Sequence, residues 1–199
     1  IPSKVKTIGY AAFSGCSGLT SFEINSGVLE KTGSFIFYGC KNLKEVKLNG
    51  ALKKIPKNMF ADASYLEKVI IPKSVTSIDS MSFCECNSLK SIVIPENVTY
   101  IGYSAFAGCA QLKSVVVPAK VNEIKWCAFE DCTALTSVTV KNKNVKFGVQ
   151  VFRNDNNLTI KCYKNSTAHK YALDNKIKCS PTLGNSSGNT VTANAVKGL

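Results

Sequence analysis

The sequence predicts a repeat solenoid: a right-handed superhelix of about seven 23-residue coils, with a parallel β-sheet on one face and short extended or 3₁₀ segments on the others. Phenylalanine recurs at a spacing of 24 residues once and then 23 residues five times. A leucine lies six residues after each phenylalanine, and most coils also have a cysteine three residues after the phenylalanine. Such a register indicates coils that stack on one another in a continuous core.

The three columns can be read directly from the sequence. The phenylalanines are Phe13, Phe37, Phe60, Phe83, Phe106, Phe129 and Phe152. The leucines are Leu19, Leu43, Leu66, Leu89, Leu112, Leu135 and Leu158. The cysteines are Cys16, Cys40, Cys86, Cys109 and Cys132, with Ala63 and Asp155 in the two remaining coils.

A single coil shows how each segment is expected to fold. Residues 66–71 are rich in side chains that favour β-structure and are expected to form a short strand. Pro72 ends this strand because it has no backbone N–H donor. Residues 75–78 form a second extended piece. Residues 82–86 then make a compact, 3₁₀-like turn that buries its phenylalanine and cysteine. One coil cannot bury its own apolar face, so stacked strands about 4.8 Å apart are expected to build the core.

The end of the chain departs from the repeat. The repeats occupy residues 1–162 and begin inside a coil, and we predict a cap of one short helix and a strand at 163–179. Ser166 is a good helix N-cap, and an Ile177 strand is expected to follow. The predicted apolar helix face consists of Ala168, Tyr171, Ala172 and Leu173. Residues 180–199, rich in Gly, Ser, Asn and Thr, are predicted to be a flexible tail or linker.

The repeat motif resembles a known family. It is carried by Ile94-Pro95, Val98-Thr99-Tyr100-Ile101-Gly102, Ala105-Phe106-Ala107-Gly108-Cys109 and Leu112-Lys113-Ser114-Val115. This pattern is similar to the BspA-like (treponemal-type) leucine-rich repeat, and the resemblance covers about residues 1–162. It departs at Thr32 and at residues 154–157. The resemblance implies a leucine-rich-repeat solenoid, a secreted or cell-surface location, and adhesion, since several members bind host matrix proteins.

The nine cysteines have more than one interpretation. An odd number leaves at least one thiol unpaired. Parallel, in-register side chains fit disulfide geometry poorly, so we predict buried thiols for the five cysteines of the column. Cys162 and Cys179 flank the predicted helix, and whether they pair is left open. A zinc site is not expected, because Cys-x-x-Cys is absent and His169 is the sole histidine.

Catalytic chemistry finds no support in the sequence. His169 is expected to lie exposed on the capping helix, and no Ser/His/Asp or Cys/His arrangement exists around it. Asp62, Glu130 and Asp131 fall in variable positions between the columns, where solvated polar residues are expected. No glycine-rich phosphate motif is present. We therefore predict a non-enzymatic protein without a cofactor or metal.

The net charge of +12 is concentrated in two zones. Residues 41–57 carry +5 and residues 141–178 carry +7. These zones would steer the protein toward an acidic glycan or an acidic protein, or they serve only to keep a solenoid in solution. Nucleic acid is not expected, because 24 of the 25 basic residues are lysines and most aromatic residues fill core columns.

The predicted strands give candidate binding residues. The second and fourth residues after each leucine should point outward, which places Ile70, Val93 and Val116 side by side on three neighbouring strands. The remaining candidates on this face are Lys47, Lys68, Ser91 and Ser114. An exposed β-branched stripe is typical of a protein-binding surface, but it is equally typical of ordinary strand propensity.

The two functional hypotheses come from different classes. The first is an adhesion or protein-interaction module that binds an extracellular protein or acidic glycan through the sheet face. The alternative is a structural spacer that displays another domain of a larger surface protein. No apolar run is long enough to span a bilayer and no signal peptide opens the chain, so surface location depends on the resemblance alone. We expect a monomer.

Overall fold

The computed structural model describes residues 2, 4–24, 31–50 and 52–184. It is a parallel β-solenoid of about seven turns of about 23 residues, with one short helix near its C-terminal end. The strands of the first four coils are β1 Thr7–Ile8, β2 Ser21–Ile24, β3 Lys31–Thr32, β4 Glu45–Leu48, β5 Lys54–Ile55, β6 Lys68–Ile70 and β7 Ser77–Ile78. Those that follow are β8 Tyr100–Ile101, β9 Ser114–Val117, β10 Glu123–Ile124, β11 Ser137–Val140, β12 Lys146–Phe147, β13 Thr159–Tyr163 and, after helix α1 Thr167–Asp174, β14 Lys178–Leu183.

Strands from successive coils pair in parallel. The wider sheet exists in two parts, with strand orders β2-β4-β6 and β9-β11-β13-β14. A narrower sheet of two-residue strands has the order β5-β7-β8-β10-β12, and β1 pairs with β3. Equivalent residues align across the coils, as Val46 does with Val69. The predicted solenoid with its parallel sheet is therefore confirmed.

The turn around each core phenylalanine is a third hydrogen-bonded ladder. Met81, Phe83 and Glu85 donate their N–H groups to carbonyls of the next coil, each at 2.8 Å. Cys86 donates its N–H to the Phe83 carbonyl at 3.2 Å, the i to i+3 bond expected of a 3₁₀-like turn. Met81 and Glu85 nevertheless have φ values of 57° and 58°. The residues two positions before and two positions after the phenylalanine are in the left-handed conformation. They direct alternate N–H groups toward the neighbouring coil, so the segment is not a 3₁₀ helix.

The core is built on a continuous stack of phenylalanine rings. The column from Phe13 to Phe152 has successive ring centroids 5.1–5.6 Å apart. The rings are close to parallel, which is the arrangement imposed by identical positions in stacked coils. The five central rings are completely buried. Tyr171 of α1 covers the end of the stack, with its ring centroid 6.1 Å from that of Phe152.

The C-terminal cap agrees with the prediction in part. Ser166 is the N-cap of α1, and its hydroxyl accepts a hydrogen bond from the His169 N–H at 3.1 Å. Ala168 and Ala172 are buried, but Leu173 is exposed, so its predicted place on the apolar face was wrong. An eight-residue helix buries only a narrow stripe, and Leu173 lies outside it.

Two further features of the cap differ from the sequence prediction. His169 is half-buried rather than exposed, and its Nδ1 accepts a hydrogen bond from the Asn165 N–H at 3.1 Å. Strand β14 continues to Leu183, beyond the expected cap boundary at residue 179, because it pairs with β13 along its length. Residues 180–183 are thus a strand rather than part of a tail. The rest of the predicted tail, from residue 185 onward, lies outside the described residues.

Candidate binding face

The outward side of the wide sheet carries the predicted apolar stripe. Ile70, Val93 and Val116 are 41%, 80% and 44% exposed. Inward and outward side chains alternate along these segments, since both neighbours of Val93 and Val116 and the residue before Ile70 are buried. Three adjacent coils therefore present β-branched side chains to solvent, and we call these three residues the stripe.

The other predicted residues lie on the same face. Ser91, Ser114 and Lys68 are exposed, and Lys47 is half-buried. Lys47 aligns with Ile70 across the β4–β6 pair, so it borders the stripe on its N-terminal side. Lys68 forms an ion pair with Glu45 of the preceding coil at 3.1 Å. Exposed pairs of this kind add little stability, and their role here is to balance charge on the face.

The stripe does not lie on three neighbouring strands, and this part of the prediction was wrong. Residues 91–94 form no strand, so the wide sheet is interrupted between β6 and β9. Ile92 and Ile94 are still buried, at 7% and 5% exposure, which shows that the coil keeps its inward packing. Packing of the apolar side chains therefore holds this segment where lateral backbone pairing does not.

A cleft of about 310 Å³ lies at the interruption. Its walls are formed by Ser91, Ile92, Val93, Ile94, Glu96, Ser114, Val116 and Lys141. Lys141 pairs with Glu96 at 3.3 Å, although the two residues are 45 positions apart in sequence. The lining thus combines apolar side chains with this ion pair, and it includes two residues of the stripe, Val93 and Val116.

Glu96 and Lys141 were not predicted from the sequence as residues of this face. Their ion pair spans two coils, whereas the alignment of columns reveals only contacts between adjacent coils. The interruption was not predicted either, because residues 91–94 and β9 have nearly the same pattern of serine and β-branched residues. No signal in the sequence distinguishes the two segments.

A second exposed apolar group lies on another side of the solenoid. Tyr103, Trp126 and Val149 occupy the position three residues before the core phenylalanine in successive coils, and Trp126 and Val149 are 54% and 68% exposed. The rings of Tyr103 and Trp126 meet edge to face, with centroids 5.9 Å apart. The same 23-residue spacing would have revealed this group. It supplies matched controls for the stripe.

The cysteine column is a ladder of buried thiols in four of its five members. Cys40, Cys86, Cys109 and Cys132 are buried, and each Sγ donates to a phenylalanine carbonyl of the preceding coil at 2.9–3.2 Å. Cys16 is exposed, which corrects the prediction for that residue. It lies in the first coil, and no described coil packs against it from the N-terminal side. All nine cysteines, including Cys162 and Cys179, are free thiols.

We expect thiol reactivity to follow this burial. Burial raises the pKa of the Cys86, Cys109 and Cys132 thiols well above the usual value, and only the thiolate is nucleophilic. In the native protein, Cys16 should react with a maleimide at least about a hundredfold faster than these three. Mass spectrometry of timed labelling would measure the rates, with Cys16→Ser as the control. Equal rates at Cys16 and Cys109 would contradict the buried ladder.

The described residues contain no grouping typical of metal binding. No cluster of three or more His, Cys, Asp or Glu side chains among them is arranged to hold a metal ion. Glu130 is largely buried and pairs with Arg153, in contrast to its predicted place as a solvated residue. Within the same part of the chain, no helix has the length and apolar character to cross a membrane.

Comparison with solved structures identifies bacterial leucine-rich-repeat proteins. The leucine rich cell surface protein of Faecalibacterium prausnitzii is 32% identical, with a TM-score of 0.70 over 80% of this chain and 46% of its own. The pneumococcal vaccine antigen PcpA is 25% identical, with a TM-score of 0.64 over 80% of this chain and 40% of its own. A leucine-rich repeat protein of Bacteroides ovatus, 23% identical, shares the fold with a TM-score of 0.55 over 79% of this chain and 58% of its own.

The chain thus spans between 40% and 58% of the length of these three proteins. No curated protein sequence matches it significantly. The family model for the BspA type leucine rich repeat region, with six copies, matches residues 1–109 and 76–181. These matches extend over the repeats and the cap, and they agree with the stacked coils, the stack of phenylalanine rings and the parallel sheet. The chain belongs to the BspA-type leucine-rich repeat family.

Proposed function

We propose that this protein is a non-enzymatic adhesion module that binds an extracellular protein through the stripe and the cleft beside it. The observation that carries the proposal is the exposure of Val93, an aliphatic side chain that is 80% exposed at the edge of a preformed cleft. Apolar side chains in such a position lose water when a partner covers them. This makes the free energy of binding more favourable by about 25 cal/mol per Å² of apolar surface buried. The shape offers an anchor point for one partner side chain.

Location outside the cell is part of the same proposal. It is supported by family membership and by the Faecalibacterium relative, which is named a cell surface protein. The lysine zones would assist encounter with acidic proteins or glycans, since long-range attraction raises association rates. We propose that the module acts as a monomer, because its wide sheet faces solvent and the partner, not a second copy, is expected to cover it.

The experiment compares two variants with the same chemical change on different faces. Val93→Glu places a carboxylate in the stripe, and Val149→Glu places one in the exposed group on the other side, where the valine is 68% exposed. Neither residue packs in the core, so both variants should keep the native circular dichroism spectrum. Surface plasmon resonance against a panel of extracellular matrix proteins and heparin, at low and high salt, measures capture.

We expect Val93→Glu to weaken capture of a matrix protein by at least about tenfold, the effect of losing one anchor worth about 1.4 kcal/mol, while Val149→Glu leaves it unchanged. Capture that persists at high salt supports apolar recognition. If the wild type and both variants all lose capture at high salt, binding would depend on the electrostatic attraction of the lysines alone. No capture by the wild type would overturn the proposal and favour the structural spacer.

A further inference from the structure

The cysteine column follows a regular hydrogen-bonding rule. In every coil except the sixth, the column residue donates its own N–H to the carbonyl of the phenylalanine three residues earlier, as Cys109 does to Phe106 at 3.2 Å. Its thiol donates to the phenylalanine carbonyl of the preceding coil, as the Cys109 Sγ does to Phe83 at 3.2 Å. Each phenylalanine carbonyl that faces such a thiol therefore receives two donors. The rule makes the column a line of donors along the core, with a gap in the third coil, where Ala63 has no thiol.

The rule breaks where the column reaches Asp155. Among the described residues, the Phe129 carbonyl receives neither the Cys132 N–H nor a side-chain donor. Phe129 and Cys132 are fully buried, and Asp155 is only 7% exposed. Neither carboxyl oxygen of Asp155 has a hydrogen-bond partner. By its position in the column, Asp155 stands against Phe129 and Cys132 as each cysteine stands against the coil before it.

An ionised carboxylate satisfies only part of this arrangement, because it can accept the Cys132 N–H but has no proton to donate to the Phe129 carbonyl. Asp155 and the Phe129 carbonyl are both acceptors, and two buried acceptors without a proton between them repel each other. A neutral carboxylic acid resolves the conflict, because its hydroxyl donates and its carbonyl oxygen accepts. The O–H would supply the donor that a thiol supplies in other coils, and the C=O would receive the Cys132 N–H. Both orphaned groups of the sixth coil are then satisfied by one side chain.

We infer that Asp155 is held as the neutral acid in the native protein, bridging Cys132 and Phe129, and that its ionisation loosens the junction between the last coil and the cap. The structure thereby contains a proton-dependent latch at the C-terminal end of its core. Its place at that end matters, because the seventh coil is the one that α1 and β14 cover.

The surrounding charges favour the neutral form. Several titratable and charged groups surround Asp155. The sixth coil contributes Glu130, Asp131 and Cys132. Asp155 also lines a cavity together with Arg153 of its own turn, Tyr171 of α1, and Lys176 and Lys178. Arg153 is engaged by Glu130, which limits what it offers Asp155. Burial raises the pKa of Asp155 to about 8, and Asp131 and Glu130 add to the rise. The Cys132 N–H, which is near the carboxyl group without completing a hydrogen bond to it, partly offsets the rise.

The sign of the pH dependence follows from proton uptake on folding. Between about pH 4 and pH 8 the unfolded chain has lost this proton and the native state keeps it. Stability from the latch is therefore complete below about pH 4 and decreases as the pH rises to about 8. Over this range the unfolding equilibrium constant should rise by up to about tenfold per pH unit.

Asp155→Asn is the decisive variant, because an amide donates and accepts like the neutral acid but does not titrate. Asp155→Cys restores the residue of the column. Asp174→Asn, at an exposed carboxyl group at the end of α1, is the control for the same chemical change. Denaturant unfolding of each protein from about pH 4 to pH 9 gives the pH dependence, and hydrogen exchange of α1 reports loosening of the cap.

We expect wild type and Asp174→Asn to share the dependence, and both Asp155 variants to lose it and to exceed wild type in stability above about pH 8. The carboxyl carbon of Asp155, followed by NMR in the wild type, should titrate above about pH 7. Equal pH dependence in wild type and Asp155→Asn would overturn the latch. Titration of that carbon below about pH 5 would overturn it as well, and this measurement stands even where a variant fails to fold.

Discussion

Phe83→Ala should lower the free energy of unfolding by about 3–5 kcal/mol, the cost of truncating a fully buried phenylalanine. Phe83 is completely buried at the centre of the ring stack, with Phe60 and Phe106 each 5.1 Å away between centroids. Removal of the ring takes away both of those contacts and leaves a cavity. Neighbouring coils cannot close it, since the third hydrogen-bonded ladder fixes the backbone on both sides.

The position of Phe83 makes the expected effect larger than a local loss. In a solenoid each coil contacts only its neighbours, so stability is a sum of coil and interface terms. A defect in the fourth coil weakens two interfaces and separates the first coils from the last ones. Unfolding followed by circular dichroism should shift to lower denaturant, while the fluorescence of Trp126, the single tryptophan, should report a later transition for the C-terminal coils.

Tyr65→Ala is the matched control, because this aromatic side chain is largely exposed and its loss should change stability by less than about 1 kcal/mol. Phe83→Leu should fall between the two variants, since leucine keeps most of the apolar volume. A Phe83→Ala protein as stable as Tyr65→Ala would contradict the view that the ring stack is the main structural element of the core.

The phenylalanine and leucine columns could be predicted from sequence for a physical reason. Stacked coils place equivalent residues in the same environment, so the requirement for an apolar ring repeats in every copy. The same logic predicted the outward positions of Ile70 and Val116, which alternate with buried neighbours along their strands. The columns therefore predict the features that all coils share.

Features that differ between coils could not be predicted in the same way. The interruption at residues 91–94 arises in a segment whose sequence is typical of a strand. Asp155 was visible as an exception in the cysteine column, but its meaning depends on the carbonyl and N–H groups of the coil before it. Cys16 has the right residue type but is exposed, because no coil among the described residues packs over it. Each of these properties belongs to a contact between particular coils.

Gly102 is a further example, and it carries the second large prediction. The position four residues before the core phenylalanine holds glycine in four coils, Gly9, Gly33, Gly102 and Gly148, and Pro56, Asp79 and Lys125 in the other three, so the sequence alone does not reveal which of the glycines are required. In the structure a Cβ on Gly102 would lie 2.5 Å from the backbone nitrogen of Ser80 and 2.6 Å from the carbonyl carbon of Asp79. Real Cβ atoms do not approach backbone atoms so closely.

Gly102→Ala should therefore lower the free energy of unfolding by about 1–3 kcal/mol or more. The clash is with the backbone that directly follows β7. Gly102, which directly follows β8, also donates its N–H to the Ile78 carbonyl at 2.8 Å. The coil can admit the methyl group only by moving away from its neighbour, which would lengthen this hydrogen bond. Thermal and denaturant unfolding would measure the loss, and hydrogen exchange should show faster opening at β7 and β8.

Gly18→Ala distinguishes this clash from a general effect of replacing glycine. No atom lies within 4 Å of a Cβ built on Gly18, and its φ is not left-handed. Alanine there reduces the freedom of the unfolded chain, so stability should stay the same or rise by about 0.4–1 kcal/mol. Opposite signs for the two substitutions would show that close approach of successive coils, rather than backbone conformation, requires glycine at position 102. A loss of similar size in both variants would contradict that explanation, because Gly18 has no neighbour to displace.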